Sequence, residues 1–200
     1  KPDGSPPNNW LSVFGGSAWE WDTTRKQYYL HNFLKSQPDF NFHNKAVQKW
    51  LLSTVKFWLE KGVDGFRLDT ANYYFHDKKL RNNPPLQSTF SEKNPYYYQN
   101  LKYSINQKEN FEFLKELRKL TDKYNETVMI GEISNVELQA KYTSNNDKLH
   151  MAYSFDLLRE EFSPKHIKNT ISKFYKETNS GWPTWSFSNH DVKRHLSRWN

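Results

Sequence analysis

The stretch "GVDGFRLDTANYYFHD", residues 62–77, places charged residues in a run that otherwise reads as a strand. It opens with the apolar and small residues of a short buried strand, yet it carries Asp64, Arg67 and Asp69. An unpaired ion in an apolar interior costs several kcal/mol unless it is neutralised. Arg67 and Asp69 are two residues apart, so on a strand they point to the same side and can pair. We interpret Asp64, at the start of the strand, as structural.

Composition excludes several classes of protein. The chain has 200 residues, with 29 Lys and Arg against 22 Asp and Glu, and a net charge of +7. The lysines are scattered and form no basic run, so we expect no nucleic-acid partner. Aromatic residues are 17% of the chain, which suits either a well-filled core or stacking platforms for sugars.

The chain contains no cysteine, which excludes disulfides, zinc-thiolate sites and a cysteine nucleophile. No stretch approaches the roughly 18 apolar residues of a membrane span, so no membrane partner is expected. No signal peptide is visible, although the first residue is Lys1 rather than Met. No phosphate loop or dinucleotide fingerprint occurs, so we expect no organic cofactor.

The order of predicted elements favours an α/β fold. Residues 1–41 are irregular, with a possible hairpin that turns at 22–26. The spacing predicts three helices. The first is capped by Asn44 and ended by Gly62, the second covers about 107–124, and the third starts at Ser163-Pro164. Four strands are predicted between them: "VDGFRLD" (63–69), 128–130 followed by Gly131-Glu132, "LHMAYSF" (149–155) and "WPTWSFSNHD" (182–191). Helices that alternate with strands favour parallel βα units.

Three carboxylates, Asp69, Glu132 and Asp191, close predicted strands. In (β/α)8 barrels, the functional residues lie at the carboxyl ends of the strands. A complete barrel needs about 250 residues and eight strands, so about four strands indicate a different α/β fold or part of a barrel.

Converging carboxylates permit general acid–base and nucleophilic chemistry, with one group ionised and the other protonated. Arg67 beside Asp69 favours the ionised carboxylate that a nucleophile requires. Two alternatives stay open on these residues alone. One is an Arg–Asp pair that serves packing only, and the other is a metal site made of three carboxylates.

Five motifs carry a resemblance to a known family. "GFRLDTAN" (65–72) resembles the nucleophile motif of the α-amylase superfamily, and "GEIS" (131–134) resembles its acid/base motif. "SNHD" (188–191) resembles its third motif, which holds sugar hydroxyls. "QPDFN" (37–41) is similar to the motif of the oligo-1,6-glucosidase and α-glucosidase branch, and 6–22 resembles the inserted domain of that branch. The motifs occur in the family's order along nearly the whole chain.

The resemblance implies an incomplete (β/α)8 TIM barrel, with residues 42–200 as about strands four to seven. Residues 1–41 would be part of an inserted loop domain after the third barrel strand. The family's first motif, its first three strands and its eighth strand are absent from this sequence. We therefore expect a fragment of a longer enzyme that has no activity as an isolated polypeptide.

The resemblance also implies catalytic roles. Asp69 would be the nucleophile that forms the glucosyl-enzyme. Glu132 would protonate the leaving oxygen and then activate water. Asp191 would bind sugar hydroxyls and stabilise the oxocarbenium-like transition state.

Five further residues are expected to bind substrate by the same resemblance. Arg67 and His190 would hold the −1 sugar, and Phe14 and Phe33 would place rings around the terminal glucose, unless both are ordinary core residues. The residue after the nucleophile, Thr70, matches the branch members that prefer α-1,4 linkages, where Val goes with α-1,6.

The function that follows is a retaining α-glucosidase that removes terminal α-1,4-linked glucose from short malto-oligosaccharides. The alternatives are an oligo-1,6-glucosidase, a glucosyl-transferring relative such as a trehalose synthase, and a non-catalytic barrel used as a binding or chaperone subunit. The family's usual Ca²⁺ or Mg²⁺ loop would lie outside this sequence, so no metal ligand is assigned. A cytoplasmic location is expected, and the oligomeric state stays open.

Overall fold

The computed structural model describes residues 3–86, 93–178 and 180–199. These residues form two compact units, one drawn from Lys1–Gln48 and Tyr73–Asn110 and the other from Lys49–Asn72 and Phe111–Asn200. The strands are β1 (Trp19–Asp22), β2 (Gln27–Leu30), β3 (Gly65–Leu68), β4 (Val128–Ile133), β5 (Met151–Ser154) and β6 (Trp182–Pro183). The α-helices are α1 (Lys45–Glu60), α2 (Lys108–Thr121), α3 (Val136–Thr143), α4 (Pro164–Glu177) and α5 (His195–Arg198).

The first unit contains the predicted hairpin. Strands β1 and β2 pair antiparallel, and Asp22 closes the turn by accepting the backbone N–H groups of Thr24 and Arg25 at 2.8 and 3.0 Å. An aspartate that bonds the backbone two residues ahead is a standard way to stabilise a turn. Trp10 is buried beside this hairpin and stacks on Trp19, with ring centroids 6.0 Å apart.

The second unit contains a parallel sheet in the order β3-β4-β5-β6. The register pairs Leu68 with Gly131 and Glu132 with Tyr153. The prediction of parallel βα units is therefore confirmed. The four strands of the described part of the chain do not close into a barrel.

The two faces of this sheet differ in burial. Met129, Ile133 and Ala152 are fully buried on one face, where α3 contacts β4 and β5. Side chains alternate along a strand, so Arg67 and Glu132 lie on the opposite face. The fold thus separates an apolar, helix-covered face from a face that carries charge.

The first predicted helix is confirmed as α1. Asn44 accepts the N–H of Ala46 at 2.9 Å, and Gly62 follows the helix with φ of 85°, a conformation that glycine adopts without strain. The apolar stripe of α1 is covered only in part. Leu59 is buried, whereas Trp50 is 53% exposed and Trp58 is 49% exposed.

The prediction of a last strand ending in His190-Asp191 is wrong. Strand β6 contains only Trp182–Pro183, and His190 and Asp191 lie in a turn further along the chain. Proline cannot donate to a ladder, and the polar side chains after it bond the local backbone instead. Asn189, for example, accepts the N–H of Asp191 at 3.0 Å.

Two further differences concern β4 and its surroundings. The strand continues to Ile133, one residue beyond the predicted end at Gly131-Glu132. Helix α3 was not predicted from the sequence. It has only eight residues and buries polar Gln139 and Thr143, so its apolar periodicity is weak. Its start is marked by Asn135, which accepts the N–H of Leu138 at 3.0 Å.

Candidate active site

Arg67 joins three neighbouring strands of the parallel sheet. Its Nη1 bonds the carboxylate of Asp69, the residue that follows β3. Its Nη2 forms an ion pair with Glu132 Oε1 at 2.8 Å and donates to Tyr153 Oη at 2.9 Å. The pairing predicted between Arg67 and Asp69 is present, and the guanidinium also reaches the second predicted carboxylate.

Glu132 is a buried carboxylate whose oxygens are all bonded. Its side chain is 4% exposed. Oε1 accepts the hydroxyl of Tyr153 at 2.7 Å in addition to the Arg67 ion pair, and Oε2 accepts the backbone N–H of Thr70 at 3.1 Å. A buried charge is tolerated when it is paired and hydrogen-bonded in this way.

The turn after β3 is tied closely to β4. Ala71 donates its N–H to the carbonyl of Glu132 at 3.1 Å, and Asn72 donates its side-chain amide to Ser134 Oγ at 3.0 Å. Thr70 adopts a φ of 40°, which is strained for a β-branched residue. Such strain persists where surrounding bonds over-determine the conformation and concentrates at functional sites.

The two bridged carboxylates have opposite exposure. The side chain of Asp69 is 68% exposed, whereas that of Glu132 is 4% exposed. The arrangement places an accessible carboxylate and a sheltered carboxylate on the same guanidinium.

The charges around the bridge are stable at neutral pH. Burial opposes the charge of Arg67, but its bonds to Tyr153 and Asp69 and the charge of Glu132 together raise its pKa. Burial and the hydrogen bond to Glu132 raise the pKa of Tyr153. Arg67 therefore stays a cation, and Tyr153 stays a neutral hydroxyl that donates to the carboxylate.

His190 and Asp191 form a separate pair in the same unit. His190 Nε2 lies 3.4 Å from Asp191 Oδ1, and both side chains are exposed, at 75% and 58%. Asn189 holds Asp191 by donating its side-chain amide to Oδ2 at 3.0 Å. Within residues 3–86, 93–178 and 180–199, direct bonds join Asp69 and Glu132 through Arg67 but do not link Asp191 to that group.

Phe14 and Phe33 lie in the first unit and contact each other edge to face, with ring centroids 5.9 Å apart. Phe33 also packs on Tyr73 at 5.2 Å, and the hydroxyls of Tyr73 and Tyr96 lie 2.7 Å apart. Phe14 is 64% exposed and is therefore not an ordinary core residue. Its role in binding a sugar stays a prediction.

The part of the chain that the structure describes contains no group of three His, Cys, Asp or Glu side chains placed to hold a metal ion. Arg67 already compensates Asp69 and Glu132, which are two of the three carboxylates in the metal alternative.

None of the described helices is long and apolar enough to cross a membrane.

Tyr153 is the site residue that sequence reasoning missed. It is 8% exposed and lies opposite Glu132 in the register of β4 and β5. A buried tyrosine hydroxyl usually needs a hydrogen-bond partner, so a tyrosine inside "LHMAYSF" was the available signal. Its partners could not be named because they come from two other strands.

The molecule belongs to the class of α/β folds with a parallel sheet, and its sheet carries an exposed and a buried carboxylate bridged by one arginine. The comparison with protein families identifies which one. The model of the alpha-amylase catalytic domain matches residues 1–200, and the chain belongs to this family. The resemblance noted in the sequence is confirmed.

The chain is similar to proteins named as an alpha-glucosidase, an oligo-1,6-glucosidase and an alpha-glucosyl transfer enzyme. It is 52% identical over 210 residues to the protein named "Probable alpha-glucosidase" of Rhizobium meliloti (strain 1021), covering 100% of this chain and 38% of that protein. It is 36% identical over 218 residues to the oligo-1,6-glucosidase of Heyndrickxia coagulans, again covering 100% and 38%. The crystal structure of the alpha-glucosyl transfer enzyme XgtA superposes with a TM-score of 0.94 at 50% identity, covering 100% of this chain and 39% of that one. The chain thus spans well under half the length of these relatives.

Proposed function

We propose that the chain is the part of a retaining α-glucosidase that carries its nucleophile and its acid/base. The whole enzyme would remove terminal α-1,4-linked glucose from short malto-oligosaccharides through a covalent glucosyl-enzyme. The observation that carries the proposal is the contact of one guanidinium, Arg67, with both the exposed Asp69 and the buried Glu132. This arrangement favours the short separation of about 5 Å between carboxyl groups that retaining glycosidases use.

The first step forms the glucosyl-enzyme. Asp69 attacks the anomeric carbon and forms an ester, while Glu132 gives its proton to the departing glycosidic oxygen. In the second step Glu132 takes a proton from water, whose oxygen attacks the same carbon and releases Asp69 as a carboxylate. Retention of configuration follows from two displacements.

Arg67 suits this cycle because the site carries one carboxylate charge in each state. In the proposed cycle Asp69 is anionic before attack, and Glu132 takes up a proton that replaces the ion-paired form whose oxygens accept bonds in the structure. After attack, Asp69 is a neutral ester and Glu132 is anionic. A guanidinium that contacts both groups compensates the negative charge wherever it resides, and its own charge does not titrate near neutral pH.

We assign β3 to β6 to about strands four to seven of a (β/α)8 barrel within residues 42–200, and residues 1–41 to part of an inserted domain. Support comes from the parallel strand order and from the short share of the relatives' length. The half-exposed Trp50 and Trp58 on α1 fit a helix that further chain covers in the complete protein.

The preference for α-1,4 linkages rests on Thr70, which directly follows the proposed nucleophile. The oligo-1,6-glucosidase and glucosyl-transfer alternatives are favoured by the names of close relatives. A non-catalytic binding subunit has less support, because both bridged acids are present and hydrogen-bonded.

Arg67, His190 and Asp191 are proposed to bind an oligosaccharide, and the cytoplasm is the proposed location.

The test uses the complete reading frame that contains this sequence. Initial hydrolysis rates on maltose and isomaltose, measured side by side with the purified protein, should show a strong preference for maltose. A strong preference for isomaltose would keep the paired acids but transfer the enzyme to the 1,6-branch. Absence of turnover on either sugar and on an activated aryl α-glucoside would refute the proposed function.

A further inference from the structure

Arg198, in the short helix α5, binds four backbone carbonyl groups with one guanidinium. Nη2 donates to Phe187 O at 2.7 Å and Nη1 donates to Lys193 O at 2.6 Å. Nε donates to Arg159 O at 3.0 Å, and Nη2 lies 3.3 Å from Leu157 O. These four bonds occupy most of the five N–H donors that the side chain offers.

The first two carbonyls stand on either side of the turn that carries His190 and Asp191. We call residues 187–193 the 187–193 loop. The side chains of His190 and Asp191 are exposed, so packing does not position them. The loop instead depends on polar bonds to its backbone, and Arg198 binds both of its ends.

The other two carbonyls belong to Leu157 and to the exposed Arg159, in a segment that begins with buried residues. Leu157 and Leu158 are 2% and 6% exposed, and they follow closely after β5, the strand that carries Tyr153. The adjacent Trp199 reinforces this anchor, because it donates its indole N–H to Arg159 O at 3.1 Å and its ring lies 4.7 Å from the guanidinium carbon of Arg198. The guanidinium therefore ties the exposed loop to the segment that follows β5.

We propose that Arg198 is a positioning residue that fixes the 187–193 loop so that Asp191 and His190 are presented in one orientation. This inference rests on the proposed function for its catalytic consequence. Arginine suits the task because its planar fork donates in several fixed directions, whereas lysine is a compact charge on a flexible stem. A small displacement of a group that stabilises the transition state reduces turnover strongly, by up to about 100-fold.

The test compares Arg198→Lys and Arg198→Ala in the complete protein, with Arg25→Lys as a matched control. Arg25 is 72% exposed, pairs with Asp22 at the hairpin turn and has been given no catalytic role. In both Arg198 variants kcat should fall about 10- to 100-fold, and amide hydrogen exchange should accelerate at residues 188–192. Guanidinium ions at millimolar concentration should restore part of the kcat of Arg198→Ala. The control should match the unaltered protein.

Several outcomes would overturn the inference. Unchanged exchange at residues 188–192 would show that Arg198 does not hold the loop. Faster exchange with unchanged kcat, or a kcat loss that follows only from a lower Tm and is not rescued by guanidinium, would show a purely structural role. If the unaltered protein has no glucosidase turnover, the proposed function fails. The exchange measurement still decides whether Arg198 holds the 187–193 loop.

Discussion

The backbone N–H of Thr70 donates to Glu132 Oε2 at 3.1 Å from a strained conformation with φ of 40°. The residue after the proposed nucleophile thus holds the proposed acid/base by its main chain. Because Asp69 and Thr70 are adjacent, this bond and the Arg67 bridge set the relative positions of the two acids. The side chain of Thr70 takes no part in the bond and remains available for another role.

Asp69→Asn separates catalysis from binding. The amide keeps the size of the side chain but cannot form the glucosyl ester, so kcat should fall by roughly 10⁴-fold or more. Steady-state hydrolysis of maltose by the complete protein measures the effect. Asp64→Asn, at an exposed position before β3, is the control and should retain turnover. Near-normal activity of Asp69→Asn would contradict the assigned nucleophile.

Tyr153→Phe removes one donor to Glu132 and one acceptor for Arg67 while keeping the ring. Loss of this donor leaves Glu132 with one bond fewer to hold its position, so kcat of the complete protein should fall by about 10-fold. The free energy of unfolding should fall by about 1–3 kcal/mol, since buried polar groups lose a partner. Tyr175→Phe, at a position that is 61% exposed, should change neither quantity. An unchanged kcat would show that the hydroxyl does not act on Glu132.

Thr70→Val tests linkage selection without altering the main-chain bond to Glu132. Both residues are β-branched, so the strained φ and the N–H geometry are retained. The ratio of kcat/KM for maltose to that for isomaltose should shift toward isomaltose by roughly 5- to 150-fold, which corresponds to one contact worth about 1–3 kcal/mol. An unchanged ratio would leave Thr70 without a part in specificity.

His76 makes stability depend on pH. Burial, followed by the nearby charge of His43, lowers the pKa of His76 from 6.5 to about 4. Between these values the unfolded chain binds more protons than the folded one, so stability falls as the pH drops from about 6.5 to about 4 and then levels off. The loss is about 3 kcal/mol, at roughly 1.4 kcal/mol per pKa unit.

Denaturant unfolding between pH 8 and pH 4 measures this dependence. His76→Phe keeps a ring beside Trp10, whose centroid lies 5.4 Å from that of His76, but removes the titrating group. The variant should lose most of the acid-side decline in its free energy of unfolding. A decline as steep as that of the unaltered protein would assign the effect to other groups.

Gly65→Ala should destabilise the sheet more than Gly62→Ala. A Cβ at Gly65 would lie 2.0 Å from the carbonyl oxygen of Val128 on the neighbouring strand, whereas a Cβ at Gly62 meets no atom within 4 Å. Both positions have positive φ, so both variants carry backbone strain of about 1 kcal/mol, and only Gly65→Ala adds a clash worth about 1–3 kcal/mol more. Equal midpoints of urea unfolding would contradict a close approach at Gly65.

Elements whose signals are local could be predicted from the sequence alone. The hairpin turn at Asp22, the start of α1 at Asn44 and the pairing of Arg67 with Asp69 depend on residues only a few positions apart. Such features can be predicted because helix caps, turns and the alternation of side chains along a strand depend on residues a few positions apart. Asp69 and Glu132 could each be singled out from the predicted strand that precedes them, but their shared contact with Arg67 could not.

Tertiary structure decided which groups meet and how exposed they are. Tyr153 is 86 residues from Arg67, and Thr70 is 62 residues from Glu132, so no local pattern predicts their hydrogen bonds. The turn that carries Asp191 replaced a predicted strand because nearby side chains compete for its backbone. Parallel pairing brings distant strand ends to one edge, and that edge leaves Asp69 open while it buries Glu132.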